Sequence, residues 1–146
     1  MLRRRRAPAR GAALLGPLVL LACATNPTRP AGDFFDRQAL VAALQGRGLA
    51  VSTGATVEQP FFPMPGRTLL VDGEDVQVFE FGSVDAAQSA AGAIVPDGGG
   101  TATVSILWVG PPHFYRRDLV IALYVGSHSP VTTGLAAIMG PQFAGR

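Results

Sequence analysis

Between Trp108 and Arg117 the chain gathers its only Trp, one of its two His and one of its two Tyr, as Trp108, Pro111, Pro112, His113, Phe114, Tyr115, Arg116 and Arg117. Prolines lower the entropy of ordering a contact, Trp and Tyr give amphipathic contact area, and the Arg guanidinium is a bidentate fork for carboxylate or phosphate. Trp108, His113, Phe114, Tyr115 and Arg116 are therefore the candidate binding surface. The same residues have a plainer reading, in which Gly110 to Arg117 is a long hairpin connection whose aromatics close the open end of the core. His113 as a general base would need a nucleophile and an orienting partner, and no motif supplies either. A carboxylate such as Glu80 or Asp118 would have to be brought to it by the fold. His128 lies 15 residues from His113 with no third ligand at zinc spacing, so no metal site is expected. Gly98-Gly99-Gly100 follows a helical pattern and precedes a strand pattern, the reverse of a phosphate-cradling loop, and reads as a turn. No catalytic residues and no cofactor are expected.

Cys23 is the chain's single cysteine, so no disulfide is available to it. It stands at the end of an apolar run, Ala12 to Ala22, that follows Arg3, Arg4, Arg5, Arg6 and Arg10, the order of a charged n-region and an h-region. Eleven helical residues rise only about 16 Å, half of a ~30 Å hydrocarbon core, and Pro17 interrupts them. A permanent span is disfavoured. Leu20-Leu21-Ala22-Cys23 resembles the lipobox of bacterial lipoproteins, with Leu21 where that family more often has a small residue. The resemblance implies cleavage before Cys23, a diacylglyceryl group on its thiol and acylation of the new amino terminus, which together give stable membrane anchoring. The alternative is an ordinary signal-peptidase site at Ala22-Cys23-Ala24 and a soluble secreted or periplasmic product. Twin-arginine export fits poorly, because the hydrophobic residue and lysine expected after the arginine pair are missing.

The processed chain has a different charge from the whole one. All 12 basic residues are Arg, and five of them lie before residue 23. Seven Arg then face ten Asp and Glu, a net of −3, which is no footprint for nucleic acid. Residues 1–22 are thus expected to be a signal peptide, and 23–32, with Pro27, Pro30 and Gly32, a lipidated cysteine and tether. Residues 33–146 form the expected domain.

Within that domain Asp33 can cap a helix running to about Gln45, with Gly46 as its stop. Leu49 to Ser52 reads as a strand, and Gln59 to Gly66 as a proline-punctuated loop whose Phe61, Phe62 and Met64 form either an apolar lip or a flap folded onto the core. Thr68–Val71 and Asp75–Phe81 flank Asp72-Gly73, a type I′ hairpin pair. Ser83 caps a helix to about Val95 with an alanine face, and Glu80 reads as an edge or solvent-facing acid. Thr103 to Val109 and Asp118 to Val125 read as strands, the second apolar enough for a position covered on both sides. Ser129-Pro130 opens a last helix that Gly140-Pro141 ends. The fold class is α+β: a single small domain with an antiparallel sheet of about five strands packed by three short helices, in the order α-β-β-β-α-β-β-α.

Trp108-Val109-Gly110-Pro111-Pro112-His113-Phe114-Tyr115-Arg116, Leu123-Tyr124-Val125-Gly126, Gly140-Pro141-Gln142-Phe143-Ala144-Gly145 and Val71 to Phe81 together resemble a group of small uncharacterised bacterial lipoproteins, over roughly residues 68–146. That resemblance implies anchoring and one exported domain, and no activity. The resulting expectation is a non-enzymatic, membrane-anchored lipoprotein of the bacterial cell envelope, held on the extracytoplasmic side, that binds a protein or cell-wall component and no nucleic acid. The alternatives are a small hydrolase or ligand-binding enzyme using His113, and a purely structural or assembly lipoprotein.

Overall fold

Asp72 and Gly73 both take left-handed backbone angles, φ 51° and 86°, as a two-residue type I′ turn requires. They join β2 (Gly66–Val71) to β3 (Glu74–Glu80), with Val71 opposite Glu74. The Asp72 carboxylate also accepts the Ala50 N–H at 2.7 Å and thereby fixes the entry to β1 (Val51–Val57). These observations come from a computed structural model that describes residues 34–146. The expected signal peptide, Cys23, the tether and the expected cap Asp33 lie outside the described residues.

The second hairpin is β4 (Pro112–Arg117) and β5 (Val120–Val125), with Arg117 opposite Val120. A short β6 (Ala144–Gly145) joins the outer side of β4. The six-stranded sheet is antiparallel throughout, in the order β1-β2-β3-β5-β4-β6. β5 is central, and Val120 to Tyr124 are all buried, as its continuous apolar run requires. Each Val, Leu or Ile so buried contributes about 1.5–3 kcal/mol of transfer free energy.

The expected strand at Thr103–Val109 is corrected. That stretch makes only isolated bridges, Ile94 with Thr101 and Gly100 with Ser105, and the fourth strand is β4, formed by residues expected to be a connection. Its period-two pattern does set exposure: Val104, Ile106 and Trp108 are half-buried, while Thr103, Ser105, Leu107 and Val109 are exposed. What it lacks is a ladder partner. The outer side of β4 belongs to β6, whose Gly145 N–H is in turn taken by the Pro96 carbonyl at 2.9 Å. Pro112 is tolerated as the first residue of β4, where a missing donor costs least.

Three helices cover the two faces. α1 (Arg37–Gly46) is capped by Asp36, whose carboxylate accepts the Ala39 N–H at 2.8 Å, three residues after the expected cap. Leu40 and Leu44 of α1, and Val131, Leu135, Ile138 and Met139 of α3 (Ser129–Met139), pack on the face built by Leu69, Val71, Val76, Val78, Ala122 and Tyr124. On the other face α2 (Val84–Ala93), opened by the Ser83 hydroxyl, lays Ala87 and Ala91 over Phe79, Phe81, Ile121 and Leu123. The proline-rich loop completes that side: Phe62 is buried and Phe61 and Met64 are half-buried against the same cluster, so the loop is a flap folded onto the core. No helix among the described residues is long and apolar enough to cross a membrane.

α3 departs from its expected cap. Ser129 and Pro130 are its first two residues, and the cap position is His128, which makes no side-chain capping bond. The Tyr124 hydroxyl accepts the His128 N–H instead, at 2.9 Å, so the central strand fixes the start of the helix that follows it.

Candidate functional site

Alternation along β4 sends Phe114 to the α2 face and Tyr115 to the α1/α3 face, where they are 0% and 3% exposed. These two cannot meet a partner, and the candidate surface is corrected accordingly: they are core residues. Arg117 folds back as well, donating to the Ile138 carbonyl at 2.7 Å and placing its guanidinium 4.4 Å from the Phe35 ring centroid. Arg116 is half-buried.

His113 uses both ring nitrogens within the fold. Nδ1 lies 2.6 Å from Gln142 Oε1, Nε2 lies 2.9 Å from the Gly126 carbonyl, and the ring stacks on Tyr124 at 6.0 Å and 17°. Its bonds tie β4 to the segment leading into β6. The two carboxylates considered for it are elsewhere: Glu80 Oε2 accepts the Arg37 N–H at 3.0 Å and Asp118 Oδ2 accepts the Phe35 N–H at 2.9 Å. His113 stands opposite Tyr124, whereas Glu80 stands opposite Val120. Four strand residues separate them, roughly 13 Å. The structure thus brings neither Glu80 nor Asp118 to His113, and His128 is exposed with no metal-capable cluster of three among the described residues.

Tyr124 is the most polar part of the core. Its hydroxyl donates to Glu74 Oε2 at 2.9 Å while accepting from His128 N–H. Burial pushes the Tyr124 phenol above its ordinary value, with the Glu74 carboxylate adding to the rise and the His128 N–H opposing it. Burial also raises Tyr115. Both shifts favour the neutral phenol in the folded state, so their contribution is complete below the unfolded value near 10 and is lost as pH climbs through the higher folded values. Urea midpoints should therefore be level with respect to these groups up to about pH 9 and fall above about pH 10. Tyr115→Phe should make the alkaline fall shallower, because the Tyr115 hydroxyl has only a long 3.5 Å contact with the Thr132 carbonyl to lose.

The most exposed apolar side chains lie before β4, with Phe34 and Leu70 exposed to a lesser degree elsewhere. Leu107 and Val109 are fully exposed on either side of Trp108, whose side chain points inward. The Trp108 indole N–H donates to the Gly98 carbonyl at 2.7 Å, and its ring meets Phe61 and Phe114 edge-on, each at 6.3 Å. Ile106 N–H adds a bond to the Gly99 carbonyl at 2.8 Å. The segment is pinned at its middle, and an open recess of about 400 Å³ runs beside it toward Pro111, Pro112 and Arg146. Arg146 and Asp97 form a solvent-exposed pair at 3.6 Å on the rim. Of the residues first considered, Trp108 belongs to this tip and His113 to the scaffold behind it. Leu107 and Val109 lie outside the expected surface, yet the sequence carries their signal: apolar residues on both phases of an alternating stretch leave one set without a core to face. No protein-family model, curated protein or solved structure matches the chain.

Proposed function

We propose that the protein is a lipid-anchored contact protein of the bacterial cell envelope, held through Cys23 on the extracytoplasmic side and meeting its target through the Leu107–Pro111 tip. The observation that carries this reading is the tip itself: two fully exposed aliphatic side chains, which add nothing to the core, flank a tryptophan locked to Gly98. A non-enzymatic role is supported by His113, whose two ring nitrogens are both engaged within the fold. The arginine-led apolar run ending at the single cysteine supports the anchor.

Two measurements test this. Cys23→Ala should abolish labelling by a palmitate analogue and move the protein from the membrane to the soluble fraction; unchanged fractionation overturns the anchor. A photo-crosslinking residue at position 107 should give defined adducts in intact cells where the same residue at exposed Gln88, on α2, gives none. Equal labelling at the two positions would count against the tip as the contact surface.

A further inference from the structure

We infer that the tip is a bilayer-contacting element: Leu107 and Val109 enter the interfacial layer of the membrane, so that the domain is held at two points, its lipidated cysteine and its tip. This rests on the contact role assigned to the tip above and names its target as a lipid surface.

Three observations favour lipid over a protein cleft. The groups on offer are aliphatic: Leu107 and Val109 are fully exposed, while the indole N–H, the polar handle that would suit a protein hot spot, is already bonded to Gly98. Protein hot spots are enriched in Trp, Tyr and Arg and poor in Leu and Val, whereas hydrocarbon rewards aliphatic area alone. The tip segment itself carries no charge to desolvate, since no residue from Gly98 to Pro112 is Asp, Glu, Lys or Arg, and the nearby Asp97 and Arg146 on the recess rim are paired with each other. The chain length is also sufficient. Phe34 and Phe35 sit at the Asp118-Leu119 end of β4, through the Phe35 bonds to Asp118 and Leu119, and the tip sits at the Pro112 end. β4 is six residues long, which separates the two ends by roughly 20 Å. The eleven residues from Cys23 to Asp33 reach at most about 40 Å when extended, enough for anchor and tip to share one bilayer. Anchoring confines the tip close to the membrane and raises its effective concentration there, so a contact that is weak in the free protein is well populated in the anchored one.

Trp108 is the only tryptophan, so its emission reports the tip directly. The full chain is reconstituted in phosphatidylcholine–phosphatidylethanolamine vesicles, with and without brominated acyl chains, and compared with L107S/V109S and with Cys23→Ala added to the same vesicles. The expected result is bromine quenching of Trp108 in the anchored protein, its loss in L107S/V109S, and a weaker, saturable emission shift for Cys23→Ala. Removing both aliphatic side chains from the Cys23→Ala protein should weaken vesicle binding by at least about tenfold. If the protein proves not to be lipidated, the Cys23→Ala arm still reads the tip, so failure of the anchor and failure of this inference are separable. Unquenched emission together with unshifted emission in the Cys23→Ala arm overturns the inference, as does crosslinking from position 107 to protein and not to lipid.

Discussion

Phe79→Ala should unfold the domain at a temperature roughly 15–30 °C lower than the parent, a loss of about 3–5 kcal/mol. Phe79 is fully buried, 4.5 Å from the Phe62 ring. Gly66 lies so close above it that a Cβ there would come within 2.7 Å of the ring. The ring therefore has backbone on one side and an aromatic neighbour on the other. Neither can collapse far into the space it would leave, which places the cost toward the upper part of the range for large-to-small changes. Phe79→Leu keeps most of the volume and should cost markedly less. Thermal and urea unfolding followed by circular dichroism check both, and a Phe79→Ala loss below about 1 kcal/mol would mean that this packing is wrong.

Gly100→Ala should release the tip while leaving most of the sheet intact. Gly100 has φ 128°, and a Cβ on it would run into the Val104 carbonyl oxygen. The obstruction is backbone, so no rotamer change relieves it, and the angle itself costs an L-residue on the order of 1–3 kcal/mol. Gly100 is also where the segment closes on itself, with its carbonyl accepting from Val95 and the Thr101 N–H reaching the Val104 carbonyl. Losing that closure should free Trp108 from Gly98, seen as a red shift of tryptophan emission and faster amide exchange from Val95 to Gly110, while far-ultraviolet dichroism barely changes. Retained emission and protection in Gly100→Ala would show that the tip is held by something else.

Particular residues show how far the fold was legible. Asp72-Gly73, Ser83 and the apolar run of β5 acted as their local chemistry dictates, because a turn, a cap and a two-sided burial each depend on a few adjacent residues. Membership of the fourth strand did not, since it depends on which segments close on β5 from either side. Thr103–Val109 alternates correctly and still pairs with no strand, whereas Pro112–Arg117, with a proline and two arginines, becomes β4 because β5 and β6 close on it. The site shifted for the same reason. Once β4 is a strand, Phe114 and Tyr115 turn to opposite faces and are buried, and the exposed apolar surface moves back to Leu107 and Val109.

The stapling of Phe35 to the turn between β4 and β5 determines how the domain bears load. Phe35 N–H is bonded to Asp118, its carbonyl accepts from Leu119 at 3.3 Å, and Arg117 covers its ring. Tension applied to the chain upstream would enter beside two of the inner strands, β4 and β5, and not at an edge, so it would meet side-chain and turn contacts before any ladder bond is peeled. Under load applied upstream of Phe34, the expected first event is release of Phe35 and unwinding of α1, before the sheet yields. In the anchored state proposed above, a domain built this way is expected to yield first at its root.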